Sequence, residues 1–397
     1  MRVSARKSAI IFTVHLPSFI CPVGSVFELP SLTNLLVWLS SPCKMYISEL
    51  PLLALLSLLC TTSQACSRVN YHGGPDDGER IVVGRSMDFV ASTNSSIYVF
   101  PAGTERNASG ENMLTWKAKY GSVITAMYDK VTIDGMNTEG LVGNFLYLGV
   151  SDYGARNVSR PGLPIGWWLQ YFLDSYATVD VAAADLRTTS GQAKFQVVTA
   201  ALVPGVSSTG HLSLTDRRGD SLIMEVLEGK LVTHHGAEYT VMTNDPPFEQ
   251  QLAIDQYWEP ISNFSLPGTA SPADRFARLS HYNRRIPKST DEMSAVAYTA
   301  GMIRAVSTPM VEAAANASSL DTWPTLWRTY SDTKDMVYFY ESALEPKFLW
   351  TSFEDHDFVK GGVKRLEVSD ATWQERVGDM KGKFIDGTVF QPIGAGE

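Results

Sequence analysis

Short apolar runs with the two-residue period of a half-buried strand recur along most of the chain. The pattern predicts strands at 81–83, 122–129, 130–133, 141–148, 195–202, 211–214, 221–227, 231–235, 239–243, 327–331, 337–340 and 348–352.

Fewer segments show the period of a helix. The clearest is 164–176, where apolar residues recur at every third or fourth position and Pro164 suits a first turn. Further helices are predicted from Thr178, a capping residue, to 187, from Ser271 or Asp274 to 284, and from 291 to 306. Two runs of strands with paired helices between them indicate a layered α/β (α+β) fold.

An apolar run of ten residues, 51–60, indicates that the chain starts with a targeting segment. A bilayer span needs about 20 residues, so the run has the length of a signal-peptide core instead. Small residues at Ser63 and Ala65 fit a cleavage site after Ala65. We therefore predict a presequence over 1–65, with Met45 as the expected start of translation, and a single domain over 66–397. A buried core segment is the alternative for the apolar run.

The composition is that of an ordinary globular protein with enough apolar residues for a large core. The chain has 397 residues, a net charge of −9 and 44% hydrophobic residues. This acidic balance argues against nucleic acid or an anionic membrane as a partner, since both attract basic surfaces.

Cysteine usage and sequons both bear on export. Cleavage after Ala65 would leave Cys66 as the first residue and the one cysteine of the mature chain, which could then form no intramolecular disulfide. A lone cysteine at a new N-terminus favours a reactive role. Sequons indicate a secreted, periplasmic or vesicular protein, with chance sequons in a bacterial or cytosolic protein as the alternative. They begin at Asn94, Asn107, Asn157, Asn263 and Asn316.

An N-terminal cysteine carries a nucleophile and a base on one residue. An α-amine titrates near neutral pH, and a thiol becomes more reactive beside a cation. Such a catalyst also needs a carboxylate to orient the amine and an oxyanion hole. Arg85 and Asp88 are candidates for the cation and the carboxylate, although on extended backbone they would face opposite sides unless Gly84 or Ser86 bends the chain. A surface ion pair at a strand end is the alternative.

Several short motifs follow Cys66 in a fixed order. They are GRSMDF at 84–89, GMNTEGL at 135–141, GHLSLTD at 210–216, VMTNDP at 241–246, LPG at 266–268 with DRF at 274–276, and TLW at 325–327 with MVYF at 336–339. Together they resemble the choloylglycine hydrolase family, N-terminal-nucleophile enzymes that include penicillin V acylases and bile salt hydrolases. The resemblance covers roughly 66–353.

The resemblance implies a four-layer αββα sandwich that hydrolyses linear amide C–N bonds of a small-molecule acyl amide. The reaction would pass through a thioester acyl-enzyme and would need no metal or other cofactor. Cys66 would be the nucleophile and its α-amine the base. Arg85 would lie beside the thiol and stabilise negative charge there, and Asp88 would hold the amine and the sulfur in place.

The resemblance also implies an oxyanion hole formed by the side-chain amide of Asn244 and the backbone N–H of Tyr147. Arg275 would complete the polar network. Tyrosine at position 147 is typical of penicillin V acylases, whereas bile salt hydrolases tend to have asparagine there. Asp245 stands where bile salt hydrolases usually have a second asparagine, and Thr269 stands where the LPG motif usually continues with aspartate. Both departures bear on the substrate.

Each of these residues has a purely structural alternative. Asn244 would otherwise form a turn before Asp-Pro-Pro, Tyr147 would be a buried strand residue, and Arg275 a solvated helix charge. At the level of function, the alternatives within the family are a bile salt hydrolase and an amidase for N-acyl-homoserine lactones or N-acylethanolamines. A secreted glycoprotein that binds ligands without turnover is the alternative outside it.

Other chemistries find little support. His234 and His235 are adjacent on a predicted strand, so they face opposite sides and cannot share a metal. A papain-like protease would need a cysteine within the chain, and an acylated Cys66 would be a membrane anchor with a blocked amine. The resemblance to the family suggests a homo-oligomer, either a dimer or a tetramer.

Overall fold

The computed structural model describes residues 66–395, with gaps at 75–79, 188, 190, 204–205, 311–322, 346 and 369–375. The predicted presequence 1–65 and the sequon at Asn316 lie outside the described residues. All described residues belong to one unit, Thr61–Glu397. None of the helices in this described part is long and apolar enough to cross a membrane.

Strands make up most of the regular structure. In chain order they are β1 (Ser67–Gly73), β2 (Arg80–Asp88), β3 (Ser96–Phe100), β4 (Glu105–Asn107), β5 (Thr115–Lys117), β6 (Ser122–Met127), β7 (Val131–Asn137), β8 (Val142–Leu146), β9 (Gly162–Pro164), β10 (Gln196–Val198), β11 (Ala201–Val203), β12 (Val206–Ser207), β13 (His211–Thr215), β14 (Ser221–Leu227), β15 (Lys230–His235), β16 (Val241–Thr243), β17 (Thr325–Asp332), β18 (Val337–Ser342), β19 (Phe348–Ser352), β20 (Lys364–Glu367), β21 (Gly378–Asp379) and β22 (Ile385–Asp386).

Two large sheets pack face to face. One has the order β16-β1-β2-β17-β18-β19-β21, and the other has the order β15-β14-β13-β8-β7-β6-β3-β20-β22. Polar side chains cross the space between them: the Tyr338 hydroxyl on β18 donates to Asp134 Oδ1 on β7 over 2.6 Å and lies 2.7 Å from the Thr125 hydroxyl on β6.

Helices cover the outer faces of both sheets. They are α1 (Trp168–Ser175), α2 (Val179–Asp185), α3 (Phe248–Trp258), α4 (Pro272–Arg285) and α5 (Glu292–Ala305). Helices α4 and α5 pack on β1, with α5 also on β2, while α1 packs on β7 and β8 of the other sheet. The αββα sandwich that the resemblance implies is therefore confirmed.

Several predicted boundaries need correction. The strand predicted at 195–202 is wrong as one element: β10 and β11 are separate, and β10 pairs in parallel with β9. The strand predicted at 122–129 ends at Met127, because Tyr128 and Asp129 adopt positive φ values of 54° and 51° and turn the chain into β7. The helix predicted at 164–176 begins with a 3-10 turn at Ile165–Trp167 before α1.

Two elements near the site have no predicted counterpart. Strand β1 is buried along its whole length, yet its pattern alternates polar residues such as Arg68 and Asn70 with Val69. The Arg68 guanidinium has a hydrogen-bond acceptor within the protein, because its Nη1 donates to Tyr239 O over 2.9 Å. Helix α3 buries only Phe248 and Gln251, so it shows no long apolar face.

The packing of α5 on β2 depends on the absence of a side chain at Gly84. A Cβ there would lie 2.6 Å from Thr299 Cγ2 and 3.0 Å from Ile303 Cγ1 of α5. Gly84→Ala is therefore expected to lower the free energy of unfolding by about 1–3 kcal/mol, the usual effect of overpacking. Equilibrium unfolding in urea measures this change.

Gly301→Ala is the matched control, because a Cβ on this exposed α5 glycine would meet no atom within 4 Å. Alanine is expected to stabilise the helix there by about 0.5–1 kcal/mol. Equal effects of the two substitutions would contradict the close packing at Gly84.

Candidate active site

Cys66 lies directly before β1, which runs between β16 and β2 in the sheet. Its side chain is buried, with 3% of the residue exposed. The sulfur lies 3.8 Å from three groups of β2: Arg85 Nη2, Met87 Sδ and the backbone carbonyl oxygen of Asp88. The thiol is therefore held against one strand of the sheet, beside a cation.

Arg85 is a buried cation whose side chain points into the space between the sheets. Its Nη2 donates to Phe145 O on β8 over 3.2 Å, and its guanidinium lies 4.6 Å from the ring centroid of Trp327. Within the described residues, its Nε and Nη1 have no hydrogen-bond partner. Part of its charge is therefore uncompensated by hydrogen bonds, and this cation lies 3.8 Å from the Cys66 sulfur.

Asp134 supplies an opposite charge behind Arg85. Burial raises the pKa of the Asp134 carboxyl, while the charge of Arg85 and hydrogen bonds from Tyr338 and Asn144 act in the opposite direction. Asn144 Nδ2 donates to Asp134 Oδ2 over 2.7 Å. These contacts fix the carboxyl group in the layer between the sheets.

Asp88 is the last residue of β2 and lines the same pocket as Arg85. The Asp88 carboxyl is buried, and neither oxygen meets hydrogen-bond geometry with a donor among the described residues. Burial raises its pKa to about 6, while the charges of Arg275 and Arg85 and the nearby Thr325 hydroxyl oppose the rise. Asp88 therefore touches the Cys66 sulfur through its backbone carbonyl, and its carboxylate is not seen to bind the Cys66 nitrogen.

Asn244 instead accepts the hydrogen bond from the Cys66 nitrogen. Its Oδ1 also accepts from Arg275 Nη2 over 3.1 Å, which fixes the orientation of the amide. Nδ2 therefore faces Tyr147, and one of its two hydrogens is donated to Tyr147 O over 2.8 Å. Since β8 ends at Leu146, the Tyr147 N–H lies beyond the paired part of that strand.

Arg275 on α4 is fully buried and ties these groups together. Its Nη1 donates to Cys66 O over 2.7 Å and to the Ser67 hydroxyl. Burial lowers its pKa, and the neighbouring Asp88 and Cys66 oppose that effect. The alternative of a solvated helix charge is therefore wrong for Arg275, and a simple turn role does not describe the fully buried Asn244.

A largely apolar pocket opens in front of the thiol. Phe89 and Tyr147 both pack against Trp323, at centroid distances of 5.0 and 6.3 Å. The apolar lining consists of Met87, Phe89, Met127, Val131, Ile133, Phe145, Tyr147, Ile165, Trp323 and Ile393, and the polar lining consists of Cys66, Arg85, Asp88, Ser208, Thr209 and Asn244. Five of the six predicted site residues line this pocket, and Arg275 lies behind it. The arrangement joins a buried thiol and an amide donor to an apolar space.

Comparison with known proteins decides the family. The model for linear amide C–N hydrolases of the choloylglycine hydrolase family matches residues 66–371. The chain belongs to this family. A penicillin V acylase from Pectobacterium atrosepticum is 37% identical over 367 residues, which cover 86% of this chain and 96% of the relative. This choloylglycine hydrolase family member is therefore an amidohydrolase that acts on the C–N bonds of linear amides.

Solved structures agree on the fold. A penicillin V acylase from Agrobacterium tumefaciens is 38% identical, with a TM-score of 0.74 over 83% of this chain and 99% of that chain. A variant of the conjugated bile acid hydrolase from Clostridium perfringens is 18% identical, with a TM-score of 0.63 over 77% of this chain and 97% of that chain. At that identity the likeness to the bile acid hydrolase concerns the fold alone.

Some pocket residues of the hydrolase were not among the predicted site residues. Met87 contacts both the Cys66 sulfur and Arg85, and alternation along β2 places it on the same face as Arg85. That alternation could have identified it. Ile393 is far from the site motifs in sequence, and Trp323 lies two residues before the TLW motif. No local pattern indicates that either of them reaches the pocket.

The raised pKa of Asp88 predicts that the stability of the protein depends on pH. The prediction applies to the chain that still carries residues before Cys66, in which the Cys66 nitrogen is in a peptide bond. Because the folded state favours the protonated carboxyl, it binds that proton more tightly than the unfolded chain does. Stability is therefore lost as the pH rises from the ordinary value of 3.8 to about 6. Asp88→Asn removes the loss and is expected to become more stable than the wild type over this range, by up to about 3 kcal/mol.

Urea unfolding of both proteins at pH 4, 5, 6 and 7 measures the difference. We expect it to grow between pH 4 and 6 and to level off above. A difference that stays constant across these pH values would contradict the assignment.

Proposed function

We propose that this protein is an exported acylase that hydrolyses acyl amides of the penicillin V type, with Cys66 as its N-terminal nucleophile. The observation that carries the proposal is the position of the Cys66 sulfur, which is buried in an apolar pocket 3.8 Å from Arg85 Nη2. The Cys66 nitrogen donates a hydrogen bond to Asn244 Oδ1. Cleavage after Ala65 would convert that nitrogen into a free α-amine.

Attack on the substrate carbonyl would begin with transfer of the thiol proton to the α-amine. The sulfur then forms a bond to the carbonyl carbon, and the carbonyl π electrons move onto its oxygen. The Tyr147 N–H and the second Nδ2 hydrogen of Asn244 are the donors that would stabilise this oxyanion. Arg275 would keep the Asn244 amide in the orientation that this donation needs.

Collapse of the tetrahedral intermediate would break the C–N bond. The α-ammonium returns its proton to the leaving amine, and the acyl group stays on the sulfur as a thioester. Water, deprotonated by the α-amine, then attacks the thioester and releases the carboxylic acid. Cys66 recovers its thiol proton from the same amine, so the atoms and protons of the cycle balance without a cofactor.

The acyl group would occupy the apolar pocket. The aromatic side chains of Phe89, Phe145, Tyr147 and Trp323 line it, which suits a planar or extended apolar acyl group. The similarity to two penicillin V acylases, at 37% and 38% identity, supports the phenoxyacetyl class. Bile salts, N-acyl-homoserine lactones and N-acylethanolamines are the competing substrates within the family.

A substrate panel tests the proposal. We expect the highest kcat/KM for penicillin V among penicillin V, glycocholate, N-octanoyl-homoserine lactone and N-palmitoylethanolamine, measured by release of the free amine or carboxylate. Preference for glycocholate would assign the bile salt alternative. Absence of turnover above the rate of Cys66→Ala, on every substrate, would support a binding protein instead.

Export is the second part of the proposal. Four of the sequon asparagines, Asn94, Asn107, Asn157 and Asn263, are exposed and so accessible to glycosylation. We expect the protein secreted by a eukaryotic host to lose mass on treatment with an N-glycosidase, and the product to begin at Cys66. An unchanged mass, with the presequence still attached, would contradict export.

A further inference from the structure

The segment 390–394 packs against the 3-10 turn Ile165–Trp167, which precedes α1. The Ile393 N–H donates to Lys130 O over 3.2 Å, and Ile393 O accepts from the Gly166 N–H over 3.2 Å. Phe390 anchors the segment, with its ring centroid 5.5 Å from Tyr98. The segment is therefore fixed by backbone hydrogen bonds on one side and an aromatic contact on the other.

The approach of this segment to β10 is tight. Gly394 has a φ of +83°, and a Cβ there would lie 2.0 Å from Val198 O and 3.0 Å from Ile165 N. Only glycine fits this position, since both the left-handed backbone and the space exclude a side chain. The conformation fixes where the preceding side chain, Ile393, points.

The Ile393 side chain forms part of the pocket that contains Cys66. It is 9% exposed and lines the same cavity as Val131, Ile133 and Ile165. The catalytic groups all come from residues within 66–371, the range that the family model matches. Ile393 lies beyond that range, so this piece of the pocket wall is added by residues outside the matched part of the chain.

We propose that Ile393 limits the length of the acyl group that the pocket accepts. The proposal rests on the proposed function, because it assigns the apolar pocket to the acyl group. Removal of three side-chain carbons at this wall adds space that a longer acyl chain can fill. The enzyme thus sets part of its specificity with the 390–394 segment, independently of the groups that perform the reaction.

The test compares Ile393→Ala with Ile385→Ala. Ile385 is a matched control, since the same carbons are removed from a residue of the same chain region that is 62% exposed. The readout is the ratio of kcat/KM for the decanoyl and hexanoyl amides of one amine. We expect this ratio to rise about 10-fold or more in Ile393→Ala, in line with the usual effect of a few carbons in an apolar pocket, and to stay unchanged in Ile385→Ala.

Urea unfolding establishes that both variants fold, and Ile393→Val, which removes one carbon, replaces Ile393→Ala if that variant does not. Binding of decanoate and hexanoate is measured in parallel by calorimetry, because binding does not require turnover. An unchanged ratio in a folded Ile393 variant would overturn the proposal while leaving the proposed function intact. If the wild type hydrolyses neither these amides nor penicillin V, the proposed function fails, and the ratio of the two dissociation constants still decides the role of Ile393.

Discussion

Cys66→Ala is expected to abolish amide hydrolysis, with kcat lower by at least about 10⁴-fold. Alanine keeps the α-amine, the hydrogen bond to Asn244 and the contacts of Arg275, but it leaves no atom that can form the thioester. The residue loses one sulfur atom, which touches Arg85, Met87 and Asp88 at 3.8 Å. The fold and the pocket are therefore expected to persist.

Steady-state and single-turnover kinetics with penicillin V measure this effect. Calorimetric binding of the same substrate to Cys66→Ala is the control, since retained binding separates a lost nucleophile from a collapsed pocket. Hydrolysis at the wild-type rate would exclude Cys66 as the nucleophile.

Asn244→Ala is expected to lower kcat by about 10²–10³-fold, the usual effect of removing one oxyanion donor. The substitution also removes the acceptor for the Cys66 nitrogen and for Arg275, so a loss of stability of about 1–3 kcal/mol accompanies it. Asn244→Asp separates the two effects, because it keeps an acceptor of the same size and removes the N–H donors. We expect Asn244→Asp to lose as much of kcat as Asn244→Ala while KM changes less than kcat.

Asn70→Ala is the matched control for this pair. Asn70 is a buried asparagine on β1 whose Nδ2 donates to Gly219 O over 3.4 Å, outside the pocket. Its replacement is expected to lower stability without changing kcat. A large fall in kcat for Asn70→Ala, or a wild-type kcat for Asn244→Asp, would contradict the oxyanion role.

Parts of this fold follow from local sequence pattern. The strands at 211–214 and 221–227 appear as β13 and β14, because leucines alternate with polar residues along the first and apolar residues make up most of the second. The helix predicted from 291 begins as expected, since Asp291 Oδ2 accepts from the Ser294 N–H over 2.8 Å. Strand β1 could not be predicted from the local pattern, because Arg68 and Asn70 are polar but buried. Their hydrogen bonds form only in the folded chain.

The candidate site shows the same division. The chemistry of the residue types indicates Arg85 and Asp88 as candidates, and both line the pocket that contains Cys66. The contact between the Cys66 nitrogen and Asn244 joins residues 178 positions apart, so no local pattern predicts it. Only the order of motifs shared with a known family brings these residues together before the structure is seen. Ile393 has no such motif, and its place in the pocket depends on how the 390–394 segment packs against the 3-10 turn Ile165–Trp167 and β10.

The most direct test of the N-terminal mechanism compares two chains that differ by a single residue. One begins at Cys66, and the other carries one glycine ahead of it, with both intact masses verified. The glycine leaves the thiol in place but turns the α-amine into an amide that cannot accept or return a proton. We predict that penicillin V hydrolysis by the extended chain is about 10²–10⁴-fold slower, the range that general acid–base catalysis contributes, while both thiols react with a disulfide reagent. Equal rates for the two chains would contradict an N-terminal base on Cys66.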